Sequence, residues 1–189
     1  MTVGVLALQG AFRAHLSKLA LLGVDAVEVR TPQDLEGVSG LIIPGGESTT
    51  ISKLLESSEL FDPIARMLAE DLPVFGTCAG LILLAGNIED GRSDQRSFGR
   101  LDIDVQRNGY GSQIESFETE LTTTVTLDPV HAVFIRAPRI ARVGADVEVL
   151  AERDGEPVLV RDGAAIGAAF HPELSRDLRI HHLFAESVA

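Results

Sequence analysis

The sequence predicts an α/β protein with a mostly parallel central sheet, helices on both faces and an antiparallel extension. Two observations favour this class. Through the N-terminal half, short apolar runs alternate with stretches of helical periodicity, which is the pattern of βαβ units around a parallel sheet. After Gly86 the chain changes to longer segments rich in Thr, Val and Ile, as is typical of antiparallel strands. With 189 residues, 45% of them hydrophobic, we expect one domain over residues 1–189.

The first βα unit begins with VGVLAL, residues 3–8, an apolar run typical of a strand buried on both faces. A helix is predicted over residues 11–22, where apolar side chains recur at helical spacing and Gly23 provides the stop. The same alternation continues with strands over residues 25–30, 40–46 and 73–76, and helices from GGESTT to about residue 57 and over residues 60–71.

The second half begins with a polar loop over residues 91–100. Strands are predicted within residues 101–127 and 147–162, with a hairpin turn at Asp154-Gly155, as an antiparallel addition to the sheet. Residues 164–170 form an apolar run for a buried strand ending at His171, and residues 176–188 predict an amphipathic closing helix.

Charge and cysteine content exclude several classes of protein. The 28 acidic and 16 basic residues give a net charge of −12, the wrong sign for binding a phosphate backbone, so we expect no nucleic acid partner. One cysteine permits no internal disulfide, which indicates the cytoplasm. The N-terminus lacks a basic region, and no apolar segment approaches the roughly 20 residues that span a bilayer, so we expect no membrane association. We expect neither metal nor cofactor, because the histidines are scattered.

The single cysteine stands in a setting that a nucleophile requires. A strand runs into Gly76-Thr77-Cys78-Ala79-Gly80, and an apolar helix follows directly. This strand-turn-helix context is that of a nucleophile elbow, in which glycines on both sides let the backbone pass close to a strained central residue. The helix N-terminus also favours the reactive thiolate. A buried structural cysteine would need no such glycines.

FHPEL supplies a base and its partner. Pro172 disfavours helix at His171, so an extended segment is predicted in which His171 and Glu173 point to the same side. A carboxylate there can fix the imidazole tautomer and stabilise the imidazolium. The alternative is a capped strand end with a surface glutamate. The other histidines have no such setting and are interpreted as structural or solvated: His15 in a helix, His131 in a loop, His181 and His182 in the closing helix.

PGGEST, residues 44–49, follows another central strand. Its two glycines can free backbone N–H groups to face a negative charge, and such a nest can complete an oxyanion hole with the N–H of Ala79. A plain glycine turn remains an alternative. A phosphate loop is disfavoured, because the lysine it needs is absent.

These segments together resemble the class I (triad-type) glutamine amidotransferases, and within them the glutaminase subunits of pyridoxal 5'-phosphate synthase. The resemblance covers nearly the whole chain and rests on GVLALQGAF, LIIPGGESTT, FGTCAG, RNGYG with SFE after it, FIRAP and FHPEL. It implies a three-layer, flavodoxin-like fold and hydrolysis of L-glutamine to glutamate and ammonia. It also implies a (β/α)8-barrel synthase subunit as partner, which makes pyridoxal 5'-phosphate from a pentose phosphate and a triose phosphate.

The resemblance also implies roles for individual residues. Cys78, His171 and Glu173 would form the catalytic triad, and the N–H groups of Gly46 and Ala79 would form the oxyanion hole. Substrate contacts would come from Gly46, Glu47, Ser48, Arg107, Ile135 and Arg136. Arg107 and Arg136 could equally serve as surface ion-pair partners.

The chain departs from the family pattern at Ala14, where a glutamate is usual, and at Ser112, where an arginine is usual. Neither position touches the triad, so these departures concern docking to the partner. Two other functions fit the cysteine: a DJ-1-like hydrolase or peptidase, which usually has a histidine where Ala79 stands, and a non-catalytic scaffold with a buried thiol.

Overall fold

The computed structural model describes residues 1–107 and 116–188 of the chain. Ser112 lies outside the described residues. Along the chain the elements are β1 (Thr2–Leu6), α1 (Phe12–Leu21), β2 (Asp25–Val29), β3 (Gly40–Ile43), α2 (Ser48–Ser57), α3 (Phe61–Ala69), β4 (Val74–Thr77), α4 (Ala79–Leu84), β5 (Ala85–Ile88), β6 (Leu101–Gln106), β7 (Phe117–Leu121), β8 (Val130–Phe134), β9 (Arg139–Val143), β10 (Glu148–Arg153), β11 (Glu156–Asp162), β12 (Ala165–Ala168) and α5 (Arg179–Val188).

The central sheet has seven strands in the order β10-β11-β12-β4-β3-β1-β2. The pairs from β12 through β4, β3 and β1 to β2 are all parallel, whereas β11 and β10 are added antiparallel. Every residue of β3, β4 and β12 is buried, as expected for strands covered on both faces. The predicted α/β class, with its parallel sheet and antiparallel extension, is confirmed.

Strand order brings three loops to one edge of the sheet. β4 lies between β3 and β12, with Gly76 opposite both Ile43 and Gly167. Parallel strands end at the same edge, so the segments that follow these three strands are neighbours. These segments are the PGGEST loop, the Cys78 turn and the FHPEL segment.

The prediction for residues 101–127 is wrong in one respect. The strands in this region do not extend the main sheet. β6 instead pairs with β5 and β9 in a three-stranded sheet, and β7 pairs with β8. The strands β5, β8 and β9 were not predicted from the sequence. β5 includes Gly86 and Asn87, both exposed and both poor strand formers, so no local signal marks it.

The closing helix begins at Arg179 rather than at residue 176. Before the helix, Pro172–Leu174 forms a separate 3-10 turn. At the start of the helix, Asp177 Oδ1 accepts the N–H of Arg179 at 2.9 Å, which satisfies a donor of the first helical turn. Within the described residues, none of the helices has the length and apolar character needed to cross a bilayer.

Candidate active site

Cys78 lies at the junction of β4 and α4 in a strained backbone conformation, with φ 48° and ψ −102°. Such a conformation is costly for a residue with a side chain and is found where the surroundings enforce it. A Cβ on Gly80 would stand 1.9 Å from the carbonyl oxygen of Ile43, and one on Gly76 would stand 2.6 Å from the backbone of Gly80. Both glycines are therefore required for the turn, as the sequence predicts.

His171 and Glu173 are in direct contact. His171 Nδ1 lies 2.7 Å from Glu173 Oε1, and the side chain of Glu173 is fully buried. The predicted proximity is confirmed, but the predicted extended backbone is wrong. Pro172 opens the 3-10 turn Pro172–Leu174, and the turn carries the glutamate back beneath the imidazole. Proline is well accommodated in the first turn of a helix, which explains its position here.

Gly45 allows the imidazole and the thiol to meet. A Cβ on Gly45 would lie 2.4 Å from His171 Cε1 and 3.3 Å from Cys78 Cβ, so the backbone of this loop packs against both side chains. Burial lowers the pKa of His171, but its hydrogen bonds with Cys78 and with Glu173 outweigh burial and raise the pKa to about 10. At neutral pH the imidazole is therefore protonated, and it presents a positive charge to the sulfur of Cys78.

Glu47 organises the PGGEST loop. Its carboxylate accepts hydrogen bonds from the backbone N–H groups of Thr49 at 3.1 Å and Thr50 at 2.7 Å, and so caps α2. Arg107 Nη2 donates to the same carboxylate at 3.1 Å. Desolvation opposes the charged form, but the hydrogen bonds from the Thr50 hydroxyl, at 2.6 Å, and from the N–H groups of Thr50 and Thr49 prevail and lower the pKa of Glu47 to about 2. The Glu47 backbone N–H donates to Gln9 Oε1 at 3.0 Å, which ties the loop to the β1–α1 connection.

A cavity of about 200 Å³ opens beside the thiol. All of the predicted substrate contacts line it together with Cys78 and His171, and Ile82 is an addition that the sequence did not indicate. The lining residues are Gly46, Glu47, Ser48, Cys78, Ile82, Arg107, Ile135, Arg136 and His171. Ile135 approaches the thiol through its carbonyl oxygen, 3.9 Å from Cys78 Sγ.

Two predicted site residues are not among those that line the cavity. Glu173 contacts the far side of the imidazole, as a residue that orients a base does. Ala79 is 1% exposed and opens α4, so its N–H has no acceptor four residues earlier in the helix and is oriented outward at the helix N-terminus. This N–H is thereby suited to meet a negative charge beside Cys78.

The structure shows where the three histidines His15, His131 and His181, interpreted from the sequence as structural or solvated, are placed. His15 and His181 are fully buried, and His15 Nε2 lies 3.5 Å from Glu173 Oε2. Only the fold shows this, because α1 packs against the Pro172–Leu174 turn. The same packing places His15 Nδ1 2.9 Å from Nε2 of His181, 166 residues away in sequence. His131 lies in strand β8, not in a loop, with its ring nitrogens 2.8 Å from Glu118 and Glu120. Within residues 1–107 and 116–188, no group of three or more His, Cys, Asp or Glu side chains is placed to hold a metal ion.

The fold and the cysteine turn together define the class: an α/β protein of the amidotransferase type. A solved structure titled "Crystal structure of glutamine amidotransferase" matches with a TM-score of 0.92 and 48% identity over 98% of both chains. The PurLQS structure from Thermotoga maritima has a TM-score of 0.75 at 15% identity over 100% of this chain and 99% of the other, a likeness of fold alone.

The chain belongs to the SNO glutamine amidotransferase family, whose profile matches residues 5–189. Two curated relatives carry the name pyridoxal 5'-phosphate synthase subunit PdxT. One, from Mycobacteroides abscessus, is 53% identical over 98% of this chain and 96% of its own length. The other, from Desulforamulus reducens, is 52% identical over the whole of both chains. The protein is therefore a glutamine amidotransferase that hydrolyses glutamine, which decides against the DJ-1-like hydrolase and the non-catalytic scaffold.

Proposed function

We propose that this chain is the glutaminase subunit of a pyridoxal 5'-phosphate synthase and that Cys78, His171 and Glu173 are its catalytic triad. One observation carries the assignment of the triad. The thiol and the imidazole face the same cavity, while the carboxylate lies 2.7 Å from the imidazole nitrogen that points away from it. The names of the relatives support the choice of synthase.

The first half of the reaction is acyl transfer to sulfur. The Cys78 thiolate attacks the side-chain carboxamide carbon of L-glutamine, and the N–H groups of Gly46 and Ala79 bind the resulting oxyanion. The C–N bond then breaks as His171 gives its proton from Nε2 to the departing nitrogen. Ammonia leaves, and a γ-glutamyl thioester remains on Cys78.

The second half is hydrolysis of the thioester. Neutral His171 takes a proton from water as the water oxygen attacks the thioester carbonyl carbon, and the same N–H groups bind the second oxyanion. The C–S bond breaks, glutamate leaves, and the imidazolium and thiolate are restored. Glu173 accepts the Nδ1–H of His171 throughout, so the imidazole keeps the tautomer that leaves Nε2 facing the substrate.

Substrate recognition falls to the lining of the cavity. We assign the free amino acid end of glutamine to Arg107 and Arg136 with Glu47, because guanidinium groups match a carboxylate and a carboxylate matches an ammonium group. Gly46, Ser48 and Ile135 complete the contacts. Arg136 holds a φ of 44°, a conformation costly for a residue with a side chain, which fits a residue fixed by its site.

The partner we propose is a (β/α)8-barrel subunit that joins the ammonia to a pentose phosphate and a triose phosphate. Ammonia released into neutral water is mostly protonated and no longer nucleophilic, so the glutaminase must deliver it through a docked partner. The cytoplasm is the compartment we assign to this assembly, because the lone cysteine must stay reduced.

Labelling with a glutamine-mimicking diazoketone tests the triad assignment. We expect mass spectrometry to find one adduct, on Cys78, and the Cys78→Ala variant to acquire none. Labelling of Cys78 by iodoacetamide but not by the glutamine mimic would contradict glutamine recognition. Co-purification with a barrel protein, together with a rise in glutaminase rate on adding it, tests the partner; full activity of the chain alone would contradict that part.

A further inference from the structure

A second polar cluster lies behind the triad, away from the cavity. His15 Nε2 lies 3.5 Å from Glu173 Oε2, and His15 Nδ1 lies 2.9 Å from His181 Nε2. Both histidines are 0% exposed. The Glu173 Oε2 atom makes no hydrogen bond within the described residues, although it is fully buried. Burying a carboxylate oxygen without a hydrogen-bond donor costs free energy of folding. The imidazole of His15 is the nearby group that can offset this cost.

The positions of the protons follow from the neighbours. Burial lowers the pKa of His15 to about 4 and that of His181 to about 2, so both rings are neutral at physiological pH. If His15 carried its proton on Nδ1, its Nε2 lone pair would face the carboxylate oxygen, and His181 would bury an N–H at its unpartnered Nδ1. The other tautomer avoids both penalties.

In that tautomer His181 Nε2–H donates to His15 Nδ1, and His15 Nε2–H faces Glu173 Oε2. The unpartnered His181 Nδ1 is then only an acceptor, which costs less to bury than a donor would. Phe75 packs edge-on against both rings and keeps water out, with ring centroids 6.3 Å from His15 and 5.8 Å from His181.

We propose that His15 is a positioning residue for the glutaminase reaction. Its Nε2–H faces Glu173 Oε2 at 3.5 Å and attracts that oxygen without a formed hydrogen bond, so that the other oxygen stays aimed at His171 Nδ1. His181 sets the tautomer that makes this possible. The proposal rests on the proposed function, since it gives a role to residues behind the proposed triad.

Helix α1 supports the same turn at a second point. Lys18, one helical turn after His15, is 8% exposed, and its Nζ donates to the backbone carbonyl of Ser175. Two side chains on one face of α1 thus contact the segment that carries Glu173. His15 contacts the Glu173 carboxylate, and Lys18 contacts the backbone at Ser175. Thr77 adds a link to the nucleophile, since its Oγ1 lies 3.3 Å from His15 Nε2 and accepts the N–H of Gly45.

Inactivation by the glutamine-mimicking diazoketone is the assay that tests this role on the full chain. Alkylation releases dinitrogen and transfers a proton to the diazo carbon, so it needs the Cys78 thiolate and the His171 imidazolium together. The alkaline limb of its pH profile therefore reports loss of the proton from His171. The titratable groups that face His15 are His181 on α5 and Glu173 and His171 at the sheet edge, and the charge of Lys18 on α1 acts on His181.

His15→Leu removes the donor and fills its volume, and we expect inactivation to slow by about 10- to 100-fold. The alkaline limb should move towards neutral pH, because a loosely held Glu173 stabilises the imidazolium less. His15→Gln places an amide N–H close to the position of Nε2 and should recover most of the rate and the wild-type limb. Leu19→Ala, a buried change on the same helix, should lower the melting temperature and leave the limb in place.

Equal behaviour of the Leu and Gln variants, or an alkaline limb that does not move in His15→Leu, would overturn the positioning role. If His15→Leu does not fold, His15→Asn replaces it, because its shorter amide stays beside His181 and does not reach Glu173. Failure of the wild-type chain to react with the diazoketone both alone and with the barrel partner present would refute the proposed function instead, so the two failures are distinguishable.

Discussion

Replacement of Gly45 by alanine tests how closely the fold must hold the imidazole. The added Cβ would stand 2.4 Å from His171 Cε1 and 3.0 Å from His171 Nδ1. Carbon atoms in contact lie about 3.5–4.0 Å apart, so the ring has to move by about 1 Å or more. It cannot do so without lengthening the 2.7 Å bond to Glu173. A displacement of about 1 Å in a reacting group costs roughly 100-fold in rate.

The assay is the second-order rate of Cys78 alkylation by the glutamine-mimicking diazoketone, measured with the melting temperature of each variant. We expect Gly45→Ala to lose roughly 100-fold in rate and, through overpacking, about 1–3 kcal/mol in stability. Gly23→Ala is the matched control. Gly23 has a φ of +71° and nothing within 4 Å of its Cβ position, so alanine there adds backbone strain far from the site and no clash.

Gly23→Ala should therefore melt lower and react at the wild-type rate. A Gly45→Ala protein that is folded and alkylated as fast as wild type would refute the close packing of this loop against His171. A slow Gly23→Ala protein would show instead that global stability governs the rate.

Three further predictions concern carboxylates and their partners. Glu173→Gln should slow alkylation of Cys78 by up to about 10⁴-fold and move its alkaline limb below the wild-type pKa of His171, about 10; an unmoved limb would contradict the pairing. Glu47→Ala should cost about 1 kcal/mol through the lost cap of α2. Because the folded pKa of Glu47 is about 2, below its usual 4.5, the melting difference from wild type should be complete above pH 4.5 and shrink towards pH 2. Hydrogen bonds that the His131 ring donates to Glu120 and Glu118 raise the pKa of His131, so its stabilisation is complete below the ordinary pKa of 6.5 and is lost as the pH rises through the raised value. Wild type should exceed His131→Gln in melting temperature at pH 6 and lose that margin by pH 9.

Local sequence signals predicted the core of this molecule well. Apolar runs located β1, β3, β4 and β12, because strands buried on both faces need continuous hydrophobic sequence. The Asp154-Gly155 turn located the β10–β11 hairpin for an equally local reason, since few residues adopt the positive φ angles that both hold here. The pairings of β6 with β9 and of β7 with β8 were not predicted, because the sequence of one strand contains little information about which distant strand it pairs with.

The sequence by itself determined the chemistry that the site can perform. Glycines around Cys78 and proline between His171 and Glu173 act through backbone conformation over a few residues, so their spacing could be interpreted without a fold. Even there the predicted backbone conformation was wrong, because a 3-10 turn rather than an extended segment brings His171 and Glu173 together.

Only the tertiary structure decided what surrounds that chemistry. The 200 Å³ cavity takes part of its lining from the segments after β3, β4 and β12, which strand order makes neighbours. Ile135 and Arg136 after β8 and Arg107 after β6 come from two other sheets, and only the tertiary packing brings them to the same cavity. His15 and His181 carry no local mark of function. Their place behind Glu173 exists because α1 packs against the Pro172–Leu174 turn and His15 contacts His181, and burial then lowers the pKa of both rings so that neither is charged near neutral pH.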